Sequence, residues 1–329
     1  MTEPRYSGRV PRVSILIPTY EPQAAHLRAA LDCVLAQTHE DWTVLIHDDF
    51  SRTDMRSILE PYLTDPRIRY ARSGRRLGIG GNWNACLATA TGDYVQFLFQ
   101  DDTWKPAYLE SCVRILEKEK GIGFTAAAHA YACEAGTPES RASAYADLAA
   151  FRARTLQPGL QKSDAFLRWW TGNGLRPNVI GEPSFVMLRR TLVREVGPFL
   201  EDMPQNLDVE YWLRCMLRAD WWNLAENLGS FRVHAAGASA RNDAAGLGLF
   251  DRLRLYEYLL GHAPSPELRG LARRSLTEQF GLMARKFFRR TRGGGGVSAD
   301  GSGALLRLCL RHPVLVAGGL LRAMGGRSA

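Results

Sequence analysis

The chain has 329 residues, 46% of them apolar, with a formal net charge of +8 and six cysteines. It is long enough to bury a substantial core, and its composition is that of an ordinary globular chain. The charge is uneven: residues 285–329 hold nine Arg or Lys against one acid, Asp300, so this stretch alone carries +8 and the other 284 residues balance to zero. With no stripe of basic residues interleaved with aromatics in the core, that distribution excludes a nucleic-acid binder. No segment reaches the roughly 20 apolar residues of a membrane span. The cysteines lack metal-ligand or CxxC spacing and suit a reducing compartment. The first 20 residues contain no apolar signal region. The expected location is cytoplasmic.

In chain order, Arg12 to Ile17 reads as a short apolar strand, with Pro18 turning the chain out of it. Leu27, Ala30, Leu31, Val34 and Leu35 are spaced as one helix face. Trp42 to Ile46 is a second strand ending in an acidic pair, Asp48-Asp49, and Ser51 or Thr53 is placed to cap a helix running to about Leu63. Ile68 to Tyr70 is a third strand. Gly78 to Gly81 then opens a helix over Asn82 to Thr91, closed by Gly92. Tyr94 to Phe99 is a compact apolar strand that ends in Gln100-Asp101-Asp102. This alternation predicts an α/β fold with a mostly parallel central sheet covered by helices.

Two adjacent carboxylates at the carboxyl end of a buried strand repel each other and are costly to desolvate. In open α/β sheets that edge is where ligands bind. The competing reading makes Asp101 and Asp102 caps for a helix starting near Lys105-Pro106. The GIGGN run superficially matches a dinucleotide loop, but it follows the third strand rather than the first, and its spacing is wrong. Helix Tyr108 to Lys118 and an apolar strand over 121–132 come next, followed by a stretch to about Leu175 whose Trp169 and Trp170 suit either a sugar platform or the core. Strand Phe185 to Leu188 and helix Leu192 to Val196 follow. Asp208 then stands in front of a further helix, with Glu210 two residues on, so a regular helix splays the two acids by about 200°. The plain alternative is Asp208 as N-cap and Glu210 as a first-turn acid. Leu228 to His234 is a late strand running to the same edge, and Ala245 to Phe288 has a helical pattern. A Gly-rich linker over 293–303 leads to a basic, apolar tail over 304–329, interrupted by Pro313, that fits an anionic membrane surface.

Together, VSILIPTYE, VLIHDDFSRTD, GIGGNWNACLATATGDYVQFLFQDDTWKPAYLE, GEPSFVMLRR and LDVEYWLRCML resemble the motifs of family 2 glycosyltransferases, in that family's order. The resemblance runs from about Val13 to His234. It implies the GT-A fold over residues 10–240, with 133–178 a variable acceptor-side insertion, 245–290 a helical extension, and an inverting transfer of the kind that builds bacterial surface polysaccharides. Carried over residue by residue, it implies a nucleotide-sugar site at Pro18, Thr19, Tyr20, Glu21, Asp49, Gly80, Asn82, Asn84, Gln100, Asp101 and Asp102. It further implies a Mn²⁺ or Mg²⁺ ion held by Asp101 and His234, and a general base at Asp208 with Glu210 in reserve. The chain departs from the pattern at Glu21, at Phe50 where a glycine is usual, and at Phe99, which stands where the metal motif has its first acid.

The chemistry needs such residues. A nucleoside diphosphate leaves as a multiply charged anion, which a cation held by hard oxygens offsets. A second carboxylate must take the proton of the acceptor hydroxyl. Expected partners are a UDP- or dTDP-sugar in preference to a GDP-sugar, and a glycan or lipid-linked acceptor. The tail suggests peripheral association with the inner face of the cell membrane. Arg72, Arg75 and Arg76 are read as a solvated run rather than phosphate ligands. The runner-up is a non-catalytic nucleotide-sugar or glycan-binding protein on the same fold. A nucleotidyltransferase would need a basic signature near the N-terminus, and PTYEPQ is not one.

Overall fold

The computed structural model describes residues 12–203, 205–234, 248–292 and 309–325. The chain divides into two compact units. The first comprises the described residues of Met1–Ser163, Pro177–Met203 and Leu207–Ala240; the second those of Asp164–Arg176, Pro204–Asn206 and Arg241–Ala329.

The first unit is built on one mixed sheet. Its strands are β1 (Val13–Thr19), β2 (Trp42–Asp48), β3 (Ile68–Arg72), β4 (Tyr94–Phe97), β5 (Thr103–Trp104), β6 (Ile122–Cys133), β7 (Gly159–Gln161), β8 (Val186–Arg189) and β9 (Asp220–Val233). They lie in the order β3-β2-β1-β4-β8-β6-β9-β5, with β7 paired to β9. β3, β2, β1 and β4 are mutually parallel, and β8 runs antiparallel between β4 and β6. Helices α1 (Ala24–Leu35), α2 (Met55–Leu59), α3 (Gly78–Leu87) and α4 (Tyr108–Lys118) connect the early strands, and α5 (Glu139–Thr155) follows β6. Every residue of β1 is buried, the polar Ser14 and Thr19 included, which is why it reads as a near-continuous apolar run rather than an alternation. Its neighbours Leu27, Leu31 and Val34 of α1 and Val44 and Ile46 of β2 are also buried in the main core.

The sheet matches the expected fold class, and several local expectations are corrected. Pro18 does not end β1; it pairs in register with His47. The Thr19 carbonyl accepts from Asp49 on the β2 side. By alternation the Pro18 nitrogen therefore faces β4, beyond the last pair Leu16↔Phe97, and no ladder bond is lost. The cap of α2 is Asp54, whose carboxylate accepts from the amides of Arg56 and Ser57. The glycines over 78–81 lie inside α3 rather than before it, and the helix ends at Leu87, ahead of Gly92. The two acids after β4 do not cap α4, because β5 intervenes and Ala107 precedes the helix.

β8 is entered through a single 3-10 turn, Pro183–Phe185, and α7 (Arg190–Val196) leaves it. α8 (Leu207–Met216) carries Asp208 in its first turn rather than in front of it. In the second unit, α6 (Ser163–Gly172) contributes the fully buried Trp170, which settles one tryptophan as core. The helical stretch after residue 245 is two helices, α9 (Gly248–His262) and α10 (Pro266–Arg292). Between them Ser265 accepts from the Leu268 amide as a cap. Pro313 opens α11 (Pro313–Gly325) rather than breaking it, since the first helical position needs no N–H. The expected linker over 293–303 lies outside the described residues.

Candidate active site

The carboxyl ends of β1, β2 and β4 meet at one edge of the first unit. There the chain leaves β1 through Tyr20 and Glu21. Gln100, just past β4, brackets Tyr20: its side-chain oxygen accepts from the Tyr20 amide at 2.9 Å and its nitrogen donates to the Tyr20 carbonyl at 3.3 Å. Glu21 sits at φ +45° and clamps the neighbouring turn. Its carboxylate accepts from the amides of Arg52 and Thr53 and from the Thr53 hydroxyl at 2.6 Å, bonds that hold its pKa below the usual carboxylate range. The Glu21 amide donates to Ser51 at 2.8 Å. Asn82, from α3, donates to the Thr19 carbonyl and lies 2.6 Å from His47, tying the ends of β1 and β2 together.

The acidic pair at the end of β2 is consumed by the protein. Asp48 is fully buried and accepts from Ser51, Tyr70 and Arg72. Asp49 accepts from the amides of Leu77 and Gly78 at 2.5 and 2.9 Å, a carboxylate on the N-terminus of α3. Arg76 lies 3.8 Å from Asp49, and its guanidinium stacks 3.4 Å above the Tyr20 ring. The sequence reading set Arg76 aside as solvated; the stack puts it beside two site residues. A run of three arginines gave no signal of which one would fold back. Phe50 occupies the left-handed region at φ +64°, the conformation for which a glycine is the usual choice.

Two expected nucleotide residues face elsewhere. Asn84 holds the backbone of Phe199 through both its amide atoms. A Cβ on Gly80 would stand 2.7 Å from the Glu201 Cα, so this glycine allows close approach of the loop after α7. The structure ties both to the 199–201 loop. Phe99 turns its ring onto Trp83, at 4.9 Å between centroids, in a cluster with Phe97 and Phe199. That packing accounts for an aromatic where an acid was expected.

Asp101 and Asp102 divide their duties. Asp102 is completely buried, accepting from the Ser184 hydroxyl at 2.5 Å and the Arg232 amide at 3.0 Å. Burial, and then the charge of Asp101, push its pKa well up. Ser184 also accepts from the Phe99 amide, so the GEPS loop is knitted to the end of β4. Asp101 stays half-buried, 3.0 Å from His234 Nε2 at the end of β9. Its carboxylate raises the His234 pKa. Arg232 braces this corner, donating to the Asp101 carbonyl and to Glu134, itself 2.8 Å from His26. A carboxylate oxygen and an imidazole nitrogen this close suit a Mg²⁺ or Mn²⁺ ion whose remaining ligands are phosphate oxygens and water. Among the described residues no group of three or more His, Cys, Asp or Glu could hold a metal ion. With two side chains, Asp101 and His234, the corner would leave most of such an ion's coordination to a bound diphosphate and water.

The second carboxylate is Asp208. It accepts from Asn178 at 2.8 Å and from the Val209 amide. Desolvation, with a further push from the charge of Glu182, raises its pKa to about 7 against those two hydrogen bonds. Asn178 is itself fixed by the Gly181 backbone, and Trp212 donates to the Gly181 carbonyl at 3.0 Å. Glu182 lies 2.8 Å from His129, whose ring stacks on Phe185 at 4.0 Å. The same Glu182 charge raises Asp102, so one loop, 178–184, communicates with both acid positions. Asn178, Glu182 and Ser184 were absent from the sequence-derived site, because their partners are distant in the chain. The Glu210 reading is corrected: Glu210 is buried in a bidentate pair with Arg214 at 2.5 and 2.7 Å. Freeing it would strand a buried arginine.

Comparisons with known proteins bear on the family and the fold. The family model "Glycosyl transferase family 2" matches residues 14–180. The chain is 30% identical over 257 residues to the uncharacterized protein MT1568 of Mycobacterium tuberculosis, covering 78% of each. It is 33% identical over 107 residues to UDP-Glc:alpha-D-GlcNAc-diphosphoundecaprenol beta-1,3-glucosyltransferase WfgD of Escherichia coli, a match spanning 32% of this chain and 41% of that one. The S. aureus TarS 1-349 structure in complex with UDP-GlcNAc superposes with a TM-score of 0.63 at 14% identity, covering 93% of this chain and 81% of that one, a likeness of fold. The chain belongs to glycosyl transferase family 2 and is a glycosyltransferase of the GT-A fold.

Proposed function

We propose that the protein is an inverting glycosyltransferase that moves a hexosyl or deoxyhexosyl group from a nucleoside-diphosphate sugar to a hydroxyl of a glycan or lipid-linked acceptor. The observation that carries this reading is a half-buried Asp101–His234 corner beside a loop, 178–184, that bonds both the neighbouring Asp102 and a second carboxylate, Asp208, whose pKa is raised to about 7. The nucleotide lies along the β1–β2–β4 edge, with Tyr20 and Arg76 as a flat surface for the base. A uridine or thymidine donor is preferred to guanosine, and the UDP-glucose in the name of WfgD supports that preference. The undecaprenol-linked acceptor in the same name supports a lipid-linked acceptor, and with it a place on the inner face of the membrane.

In the reaction, Asp208 takes the proton of the acceptor hydroxyl while its oxygen attacks the anomeric carbon. The bond from that carbon to the diphosphate oxygen breaks, and the nucleoside diphosphate leaves with the electron pair. A divalent ion held by Asp101 and His234, when bound, offsets the charge on that leaving group. Because attack is direct, the anomeric centre inverts.

A donor panel of UDP-, dTDP- and GDP-sugars, with and without Mn²⁺ or Mg²⁺, tests the reading. Asp208→Asn is expected to retain donor binding and lose transfer by about 10²- to 10⁴-fold. Binding of a donor with no turnover in the wild type, membrane extract being supplied as acceptor, would favour the non-catalytic binding protein instead.

A further inference from the structure

The second unit presents an apolar stripe that stands exposed among the described residues. Leu310 is 70% exposed, Val314 80% and Leu321 69%, and Ala317 is exposed between them. They follow at spacings of four, three and four, so they share one side of α11 and the turn before it. The opposite side is occupied. Gly281 of α10 and Gly319 of α11 meet backbone to backbone, each so close that a Cβ would stand under 3.0 Å from the other's main chain. Arg311 and Arg322 flank the stripe, pairing with Glu257 and Glu278 yet more than half exposed.

We infer that this stripe is a docking surface for an anionic lipid bilayer, an inference that deepens the proposed reading of a membrane-held acceptor and rests on it. Charge complementarity selects the occupant. Residues 285–329 carry nine Arg or Lys against a single acid. A second copy of the same surface would bring Arg311 and Arg322 against like charge, whereas anionic headgroups attract them. Length agrees: 13 residues of helix extend about 20 Å, enough to lie in the headgroup region and too little to cross a core of roughly 30 Å. Among the described residues no helix is long and apolar enough to span.

The test uses the full chain and a triple variant, Leu310→Gln, Val314→Gln and Leu321→Gln, whose positions are exposed and so leave the packing of α11 intact. Both are sedimented with vesicles of phosphatidylglycerol and phosphatidylcholine, and with phosphatidylcholine alone. Wild type is expected to partition onto the anionic vesicles, and the triple variant to lose that partition by about tenfold or more. Equal partition of the two proteins, or none by wild type, would overturn the inference. So would a wild-type dimer in light scattering that the variant turns into a monomer without any effect on vesicles. Donor binding, measured separately on both proteins, reports on the catalytic reading alone: its absence would sink that reading and leave the vesicle result standing.

Discussion

Asp208 shows how neighbours set the working range of one carboxylate. As the proposed general base it must be deprotonated, and with its pKa raised to about 7 the transfer rate should climb as pH rises through that value. Its two neighbours push in opposite directions. Asn178 donates to the carboxylate and lowers the pKa, so Asn178→Ala should move the acid limb of kcat/KM to higher pH. The Glu182 charge raises it, so Glu182→Gln should move the limb down. Limbs that move the same way, or an unshifted pair, would remove Asp208 as the titrating group. Asp48 and Glu210 make the contrast: acids of the same kind, each saturated by buried or basic partners and so given over to structure. Only Glu210 has a local sign of its role, Arg214 one helical turn on; Asp48, Asp101 and Asp208 are separated by partners distant in the chain, Tyr70 and Arg72 on one side and Asn178 and His234 on the other.

α3 is the element on which the proposed donor edge depends. It is held at its N-terminus by Asp49, tied to β1 and β2 by Asn82, and pressed against Glu201 at Gly80. A methyl group at Gly80 would meet backbone, which cannot rotate away. Gly80→Ala is therefore expected to cost about 1–3 kcal/mol. At about 2–4 °C per kcal/mol for a domain of this size, calorimetry should read a lower Tm. An unchanged Tm would show that the loop yields. The periodicity of α1 and α4 and the strand order through β4 were legible because apolar spacing is a local property. The limits of α3 were not, since its glycines read as punctuation until Glu201, more than a hundred residues on, gave them a packing role. Pro18 misled for the same reason: its missing donor matters only if a neighbouring strand is there to receive it.

For the whole molecule, charge is divided between a neutral body and the strongly basic stretch 285–329. Exposed charges more than about 8 Å from their counterparts are screened at 0.15 M ionic strength. Partition onto anionic vesicles should therefore fall steeply between low salt and 0.5 M, while donor binding changes less. A salt-independent partition would assign the attraction to apolar contact alone.

The sequence by itself determined the order of strands and helices through β4, the acid pair that follows β4, the family, and the concentration of positive charge, all of them properties of residues near one another in the chain. Only the tertiary structure decided which carboxylates remain available for chemistry. Ser184 meets Asp102 across 82 positions, and His234 meets Asp101 across 133. A carboxylate's role depends on what desolvates it and what bonds to it, and for Asp101, Asp102 and Asp208 those groups come from segments distant in the chain.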